Sequence, residues 1–286
     1  MSNKKCYLCQ GENFSQRPGS VRDNSRLKIL ECTSCGLVFL SSFSHIENDF
    51  YENSNMHMDK SLKVDDWIKR TEVDDQRRFE FLEDILPQRS LLDFGCGTGN
   101  FITKASCLTN KVFGLEPEMR LREHFDRMSL KVYRYPSEIP KKDKFDIITL
   151  FHVLEHLPDP RKTLTELSGF LNKKGEIIIE VPSADDALLT LYNSEEFSHF
   201  TYWSCHLFLF NNKTLKKLAE QIKLKINYIK PFQRYPLSNH LFWLSQGKPG
   251  GHEKWNFIDS KELSKAYEKQ LESIGKCDSV LMSLSQ

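Results

Sequence analysis

The stretch Leu91-Leu92-Asp93-Phe94-Gly95-Cys96-Gly97-Thr98-Gly99-Asn100-Phe101 restricts what this chain can fold into more than any other. An apolar run that ends at Asp93 reads as a buried strand, and the residues from Asn100 onward read as a helix. Three glycines at alternate positions fill the turn between them. Glycines let backbone approach a ligand closely and take angles that other residues avoid. The helix that follows offers its first N–H groups to whatever occupies the turn. A second apolar run, Val112-Phe113-Gly114-Leu115, ends at Glu116-Pro117. That carboxylate lies about 20 residues beyond the turn, the offset at which an acid reaches ribose hydroxyls in a strand–turn–helix–strand unit. The spacing is GxGxG behind an aspartate, not GxGxxG, so the turn lacks the pattern that cradles a pyrophosphate.

Strands and helices alternate on either side of this turn. Strands are expected at 90–94, 111–116, 131–135, 145–151 and 176–181, and helices at 67–86, 100–109, 118–128, 159–171 and 213–222, with a further strand near 224–230. That alternation implies an α/β fold, a mainly parallel sheet with helices on both faces. Residues 231–260, rich in Pro, Gly and aromatics, read as loop, and 260–284 as a C-terminal helix. With 286 residues and 39% hydrophobic content, the chain has enough apolar material for a core without staples. The expected organisation is a cysteine module at 1–42, a linker or lid at 43–66, the α/β domain at 67–232, and a substrate-side extension with a helix at 233–286.

Eight cysteines divide into two kinds. Cys6-Tyr7-Leu8-Cys9 and Cys32-Thr33-Ser34-Cys35 form two CxxC pairs, whereas Cys96, Cys107, Cys205 and Cys277 are scattered. Two such knuckles at ribbon-like separation present four thiolates to one ion. Four sulfurs suit tetrahedral Zn²⁺, and a closed four-cysteine site is structural, with no open position for chemistry. An iron–sulfur cluster is the alternative. A redox CxxC would need a thioredoxin-like setting, which the N-terminus lacks. The scattered four are expected to be buried small hydrophobes. The N-terminus has no apolar signal region and the chain no run of 18 apolar residues, which favours a cytoplasmic protein without a membrane span.

Together these features resemble class I S-adenosylmethionine (SAM)-dependent methyltransferases. The glycine turn behind Asp93 is similar to that family's first motif. Phe145-Asp146-Ile147-Ile148-Thr149-Leu150-Phe151-His152-Val153-Leu154-Glu155-His156-Leu157-Pro158-Asp159-Pro160 resembles its fourth strand and following loop. Leu171-Asn172-Lys173-Lys174-Gly175-Glu176-Ile177 resembles its turn into the fifth strand. The resemblance implies a Rossmann-like sheet in which Asp93 and the backbone of Gly95, Cys96, Gly97, Thr98 and Gly99 hold the methionine part of SAM. It also implies that Glu116, ahead of Pro117, holds the ribose. Tyr135 and Pro136 then contact adenine, at a position where the family commonly has an acid, and Phe151 and His152 lie beside the sulfonium. The cysteine module resembles a zinc ribbon that precedes the methyltransferase domain in bacterial enzymes acting on deoxysugar nucleotides, some of which methylate carbon. A linker similar to Asp49-Phe50-Tyr51-Glu52 follows the module there, so 43–66 is expected to cover the SAM site with Tyr51 as a contact.

SAM carries its own leaving group, so the protein has to position the acceptor in line and often take a proton from it. The acceptor side of such a fold lies at the C-terminal ends of the strands. After the fifth strand comes Glu196-Phe197-Ser198-His199-Phe200-Thr201-Tyr202-Trp203-Ser204-Cys205-His206-Leu207, with two histidines and a tyrosine. Histidine titrates near neutrality. In the sugar methyltransferases that this stretch resembles, a histidine ahead of an apolar–aromatic run is the base. His206 occupies that place, with Cys205 where the family has an acid. His199 and Tyr202 are the further candidates, and a hydrogen-bonded structural role is the plain alternative for His206. His152 and His156 are four apart, but a strand end and a loop share no helical face, so no metal is expected there. Gln233-Arg234-Tyr235-Pro236 with Gly247-Lys248-Pro249-Gly250-Gly251-His252 fits both a phosphate cradle and a plain tight loop.

The expected function is transfer of methyl from SAM to oxygen or carbon of a nucleotide sugar or a related small polar metabolite, in surface-polysaccharide or natural-product biosynthesis. Lys and Arg number 40 against 39 Asp and Glu, so the phosphate attraction that dominates nucleic-acid binding is weak. A zinc-ribbon rRNA base methyltransferase is the competing enzyme reading. No Asn/Asp-Pro-Pro-Tyr/Phe follows the fourth strand, which counts against exocyclic-amine acceptors. A zinc-ribbon interaction protein with a retired methyltransferase fold is the non-enzyme reading. The intact set of Asp93, GxGxG and Glu116 counts against it. Oligomeric state is open at this level.

Overall fold

The computed structural model describes residues 5–47, 50–52 and 63–286. Half of the expected lid, residues 48–49 and 53–62, lies outside the described residues. In chain order the strands and helices are β1 (Phe14–Gln16), β2 (Ile29–Cys32), β3 (Val38–Leu40), α1 (Val64–Leu82), β4 (Ser90–Phe94), α2 (Asn100–Ala105), β5 (Lys111–Leu115), α3 (Arg122–Arg127), β6 (Val132–Tyr133) and β7 (Phe145–Phe151). There follow α4 (Pro160–Ser168), β8 (Leu171–Pro182), α5 (Ala187–Thr190), α6 (Glu195–Thr201), β9 (Phe208–Leu209), α7 (Asn212–Ile222), β10 (Lys225–Phe232), α8 (Leu237–Gln246), α9 (Gly251–Lys254), α10 (Lys261–Ile274) and β11 (Ser279–Ser285). The chain gathers into two compact units, one of residues 46–153, 161–179 and 283–286, the other of residues 1–45, 154–160 and 180–282.

The first unit carries the expected Rossmann-like α/β sheet, with strands in the order β8, β7, β4, β5, β6. β4 runs parallel to both neighbours, with Leu91 opposite Val112 and Ile147, and Asp93 opposite Gly114 and Thr149. From β4 the chain goes to β5 on one side and returns later to β7 on the other. In open α/β sheets, ligands bind beyond the strand ends at such a reversal. The alternation is local and apolar: Leu91, Ile147, Phe151 and Ile178 from strands pack with Leu82, Phe101, Ile102, Ala105 and Phe125 from helices. Each large side chain so buried contributes about 1.5–3 kcal/mol.

In the second unit, β1, β2, β3 and β9 form an antiparallel sheet in that order. The run Val38-Phe39-Leu40 is buried along its whole length. It pairs on one side with β2 and on the other with Phe208 and Leu209 of β9. The cysteine-bearing strands are thus completed by residues far along the chain.

Two expectations near the C-terminus are corrected. Residues 231–260 are not mainly loop, since they contain α8, α9 and a 3-10 turn at Asn256–Ile258. Three buried polar residues of α8, Ser238, Asn239 and His240, interrupt the apolar periodicity that marks a helix in sequence. Residues 260–284 are not one helix. α10 stops at Gly275, whose φ of +65° is the left-handed helix end that glycine favours. The apolar run beyond it becomes β11, buried at every position from Ser279 to Leu284. Among the described residues, no helix is long and apolar enough to cross a membrane.

Candidate functional site

The turn from β4 to α2 is built on glycine conformations. Gly95, Gly97 and Gly99 have φ of +78°, +51° and +77°, which L-residues with a Cβ rarely adopt. A Cβ on Gly95 would also lie 2.4 Å from Val153, and one on Gly99 would lie 2.7 Å from Leu130. Gly97 differs, because a Cβ there would meet only Trp67 Cζ2, at 4.0 Å. Gly97 is therefore the point at which a ligand can come close to bare backbone. The turn is held from outside by N–H donors of Gly95 and Cys96 to Leu115 O, at 2.7 and 3.1 Å. His124 Nε2 lies 2.9 Å from Thr98 O.

Two carboxylates flank the turn. Asp93 is 4% exposed and accepts a hydrogen bond from Thr149 Oγ1 at 2.7 Å. Burial pushes its carboxyl up to about 7 against the opposing pull of Thr149 and the nearby Arg78. Glu116 accepts from Gly97 N–H and Glu118 N–H, both at 3.0 Å. Its crowded surroundings push it up to about 7 as well, opposed by those two N–H groups. Both acids sit at or next to the ends of the adjacent strands β4 and β5. An ammonium placed at Asp93 or hydroxyls at Glu116 would favour the ionised forms that burial disfavours.

The other expected cofactor contacts are placed as follows. Tyr51 packs its ring on Phe50 at 5.1 Å. Its neighbour Glu52 receives hydrogen bonds from Tyr135 Oη and, at 2.9 Å, from Arg134. Pro136 opens a 3-10 turn directly after Tyr135, and Pro117 follows Glu116 into the Glu118-capped turn at Met119–Leu121. Phe151 is buried, edge-on to Phe101 at 5.3 Å and with Arg78 4.9 Å from its ring. His152, half-buried, is held at φ +55°, a conformation that is costly without glycine and clusters at functional sites. Arg78, Trp67, Thr149 and Glu52 were not singled out from the sequence, because nothing local distinguishes them from other helix, strand or linker residues.

The four N-terminal cysteines converge. Their sulfurs lie within 4.8 Å of one another, with Cys6 to Cys35 at 3.5 Å and Cys9 to Cys32 at 3.4 Å. Four sulfurs at about 2.3 Å from a tetrahedral zinc would be about 3.8 Å apart, so the donor set fits the ion. Both CxxC turns close alike, with Gln10 N–H on Cys6 O at 2.9 Å and Gly36 N–H on Cys32 O at 2.8 Å. Of the scattered cysteines, Cys96, Cys205 and Cys277 are buried as expected, but Cys107 is exposed on the turn after α2.

His199, Tyr202 and His206 all belong to the second unit. His199 is exposed on α6, its Nδ1 2.7 Å from Ser20 Oγ. Tyr202 is 2% exposed, and its phenol is raised by burial, opposed by Arg17, so it is poorly placed to lose a proton. His206 is half-buried, its ring 4.9 Å from that of His156 and 5.7 Å from that of Trp203. The segment is pinned by residues 20–23. Asp23 accepts from Ser204 N–H and Oγ at 2.9 and 2.6 Å, and Arg22 lies 4.4 Å from the Trp203 ring.

At 233–235, the N–H groups of Arg234 and Tyr235 and the Gln233 amide all donate to the Asp278 carboxylate, at 2.8–3.1 Å. Asp278 thus takes the donors of the 233–235 half of the expected cradle. His252 Nδ1 lies 3.2 Å from Asn239 Oδ1.

A family model described as a methyltransferase domain matches residues 66–228. An uncharacterised protein of Methanocaldococcus jannaschii is 26% identical over 136 residues, 47% of this chain and 64% of that one. A tRNA U34 carboxymethyltransferase of Campylobacter jejuni is 27% identical over 138 residues, 44% of this chain and 47% of that one. The chain thus matches less than two thirds of either relative's length. The crystal structure of a SAM-dependent methyltransferase from Archaeoglobus fulgidus superposes with a TM-score of 0.51 at 20% identity, covering 75% of this chain and 94% of that one.

Proposed function

Since the chain belongs to the methyltransferase-domain family and is a class I SAM-dependent enzyme, we propose that it moves the SAM methyl group to oxygen or carbon of a small polar acceptor, a nucleotide sugar or related metabolite. The observation that carries the cofactor half of this reading is the left-handed glycine turn flanked by the Asp93 and Glu116 carboxylates. In this reading Asp93 faces the methionine ammonium, Gly97 the backbone-contacting part, and Glu116 the ribose hydroxyls. Tyr135 and Pro136 lie toward adenine, with Phe151 and His152 toward the sulfonium. The acceptor lone pair attacks the methyl carbon, the C–S bond breaks, and S-adenosylhomocysteine leaves. His206 takes the acceptor proton or holds the acceptor by a hydrogen bond, while Cys6, Cys9, Cys32 and Cys35 hold one structural zinc.

A second acceptor class is favoured by a specific finding, the tRNA U34 carboxymethyltransferases among the relatives. The near-neutral charge balance supports the small metabolite instead. Incubating the protein with SAM and either nucleotide sugars or unmodified tRNA, then reading mass spectra for a gain of one methyl, separates the two. Methylation of tRNA alone would replace the small-metabolite reading. His206→Asn should leave SAM affinity nearly unchanged and cut turnover at least about 100-fold. Full turnover in that variant would remove His206 from the reaction.

A further inference from the structure

Three metal-capable side chains that lie far apart in sequence meet in the second unit. His156 ends a 3-10 turn at Leu154–His156, and Cys205 and His206 lie just ahead of β9. One ligand atom from each falls within 4.8 Å of the other two. We propose that His156, Cys205 and His206 form a second metal site, for zinc or another divalent ion that prefers thiolate and imidazole.

The donor chemistry supports this in three ways. First, His156 Nδ1 lies 2.8 Å from Cys205 O. A carbonyl only accepts, so Nδ1 carries the hydrogen and Nε2 is the nitrogen that can take a metal. Metal-binding histidines are commonly oriented by such a second-nitrogen bond to a carbonyl. Second, a dication needs negative charge if it is to be buried. Cys205 supplies a thiolate, and Glu155, 0% exposed, brings Oε1 to 4.0 Å from His156 Nε2. Third, the two segments are joined before any ion arrives, with Leu207 N–H on Glu155 O at 2.9 Å, while His206 N–H on Trp203 O at 3.0 Å fixes the turn that carries His206.

Three protein ligands leave one tetrahedral position for water or an acceptor oxygen, the pattern of a working site and not of a closed structural one. His206 is the least buried of the three. With one His206 nitrogen on the ion, the other would remain an N–H donor, and the ion would supply a water of lowered pKa as a base. The site does not depend on which acceptor is methylated.

The test is metal stoichiometry of the full-length reduced protein after zinc loading and desalting. Two zinc ions per chain are expected, falling to one in His156→Ala, in Cys205→Ser and in His206→Asn. Loading with cadmium and recording ¹¹³Cd spectra should give two resonances, of which only one survives in each variant. SAM affinity should be unchanged in any variant that folds, and this readout follows the cofactor site alone. Because His206 is half-buried, His206→Asn remains decisive if either of the other two fails to fold. One zinc per chain in the unaltered protein, or two that persist in the His206 variant, overturns the proposal.

Discussion

Glu116 and Asp93 are carboxylates kept where burial opposes their charge, and in the proposed site the SAM ammonium and ribose hydroxyls would be the partners that favour it. Glu116→Ala removes the proposed ribose acceptor and should weaken SAM binding by about 1–3 kcal/mol, the range for a hydrogen bond to a charged group. Unchanged affinity by calorimetry would remove Glu116 from the site. The pH dependence follows from the direction of the shifts. Both groups lie near 7 in the folded chain, above the ordinary values of 3.8 and 4.5. Each therefore favours the folded, ligand-free protein most below its ordinary value, and that contribution is lost as pH rises through about 7. In the proposed site SAM binds the ionised forms, so affinity should rise between pH 6 and pH 8, by about tenfold for each group that must lose its proton. Glu116→Gln should flatten part of that rise. A flat profile in the unaltered protein would show that neither acid is neutral near pH 6. Both acids are legible in the sequence because each stands at or next to the end of a strand. Thr149 and Arg78, which tune Asp93, come from other elements and carry no local mark.

The elements whose signals are contiguous match the sequence reading. β4 and β7 have the expected boundaries, since short, largely apolar runs bounded by turn residues admit few alternatives. α7 is also legible, because Asn211 and Thr214 form a reciprocal cap: Thr214 N–H donates to Asn211 Oδ1 at 3.0 Å and Asn211 N–H to Thr214 Oγ1 at 2.8 Å. Asn211→Ala should cost about 1 kcal/mol in chemical denaturation, as loss of such a cap does elsewhere. No measurable change would mean that packing of Leu215 and Leu218 alone holds this helix. α8 and β11 were missed for opposite reasons. α8 buries polar groups, such as His240, whose Nδ1 meets Tyr267 Oη at 2.6 Å. β11 is apolar enough to read as a continued helix, and only the conformation of Gly275 separates it from α10.

At the scale of the whole molecule, the cysteine module is not confined to the first 42 residues. β3 pairs with β9, and Leu40 N–H donates to Leu207 O at 3.0 Å. The 20–23 segment also grips the loop that carries Tyr202, Ser204 and His206, for example through Arg22 N–H on Tyr202 O at 3.0 Å. If the four cysteines hold zinc, removing it should loosen more than the N-terminus. Hydrogen exchange in Cys9→Ser, which leaves His156, Cys205 and His206 in place, should speed up in residues 6–40 and also in 202–209. Amides of 90–94 and 145–151 should stay protected, with SAM affinity little changed. Exchange confined to residues 6–40 would show that the sheet keeps β9 in place without the ion.

What the sequence determined by itself is the part written in consecutive residues: the α/β alternation, the glycine turn, the acids that end two strands, and two CxxC knuckles with matching geometry. Each of these is local, set by backbone conformation and burial over a few residues. Only the tertiary structure decided which distant residues meet. It joined His156 to Cys205 and His206, tied Glu52 to Arg134 and Tyr135, and filled the 233–235 turn with Asp278. The physical reason is that such contacts depend on strand pairing and packing between segments more than 40 residues apart, for which a one-dimensional pattern of polarity carries no register.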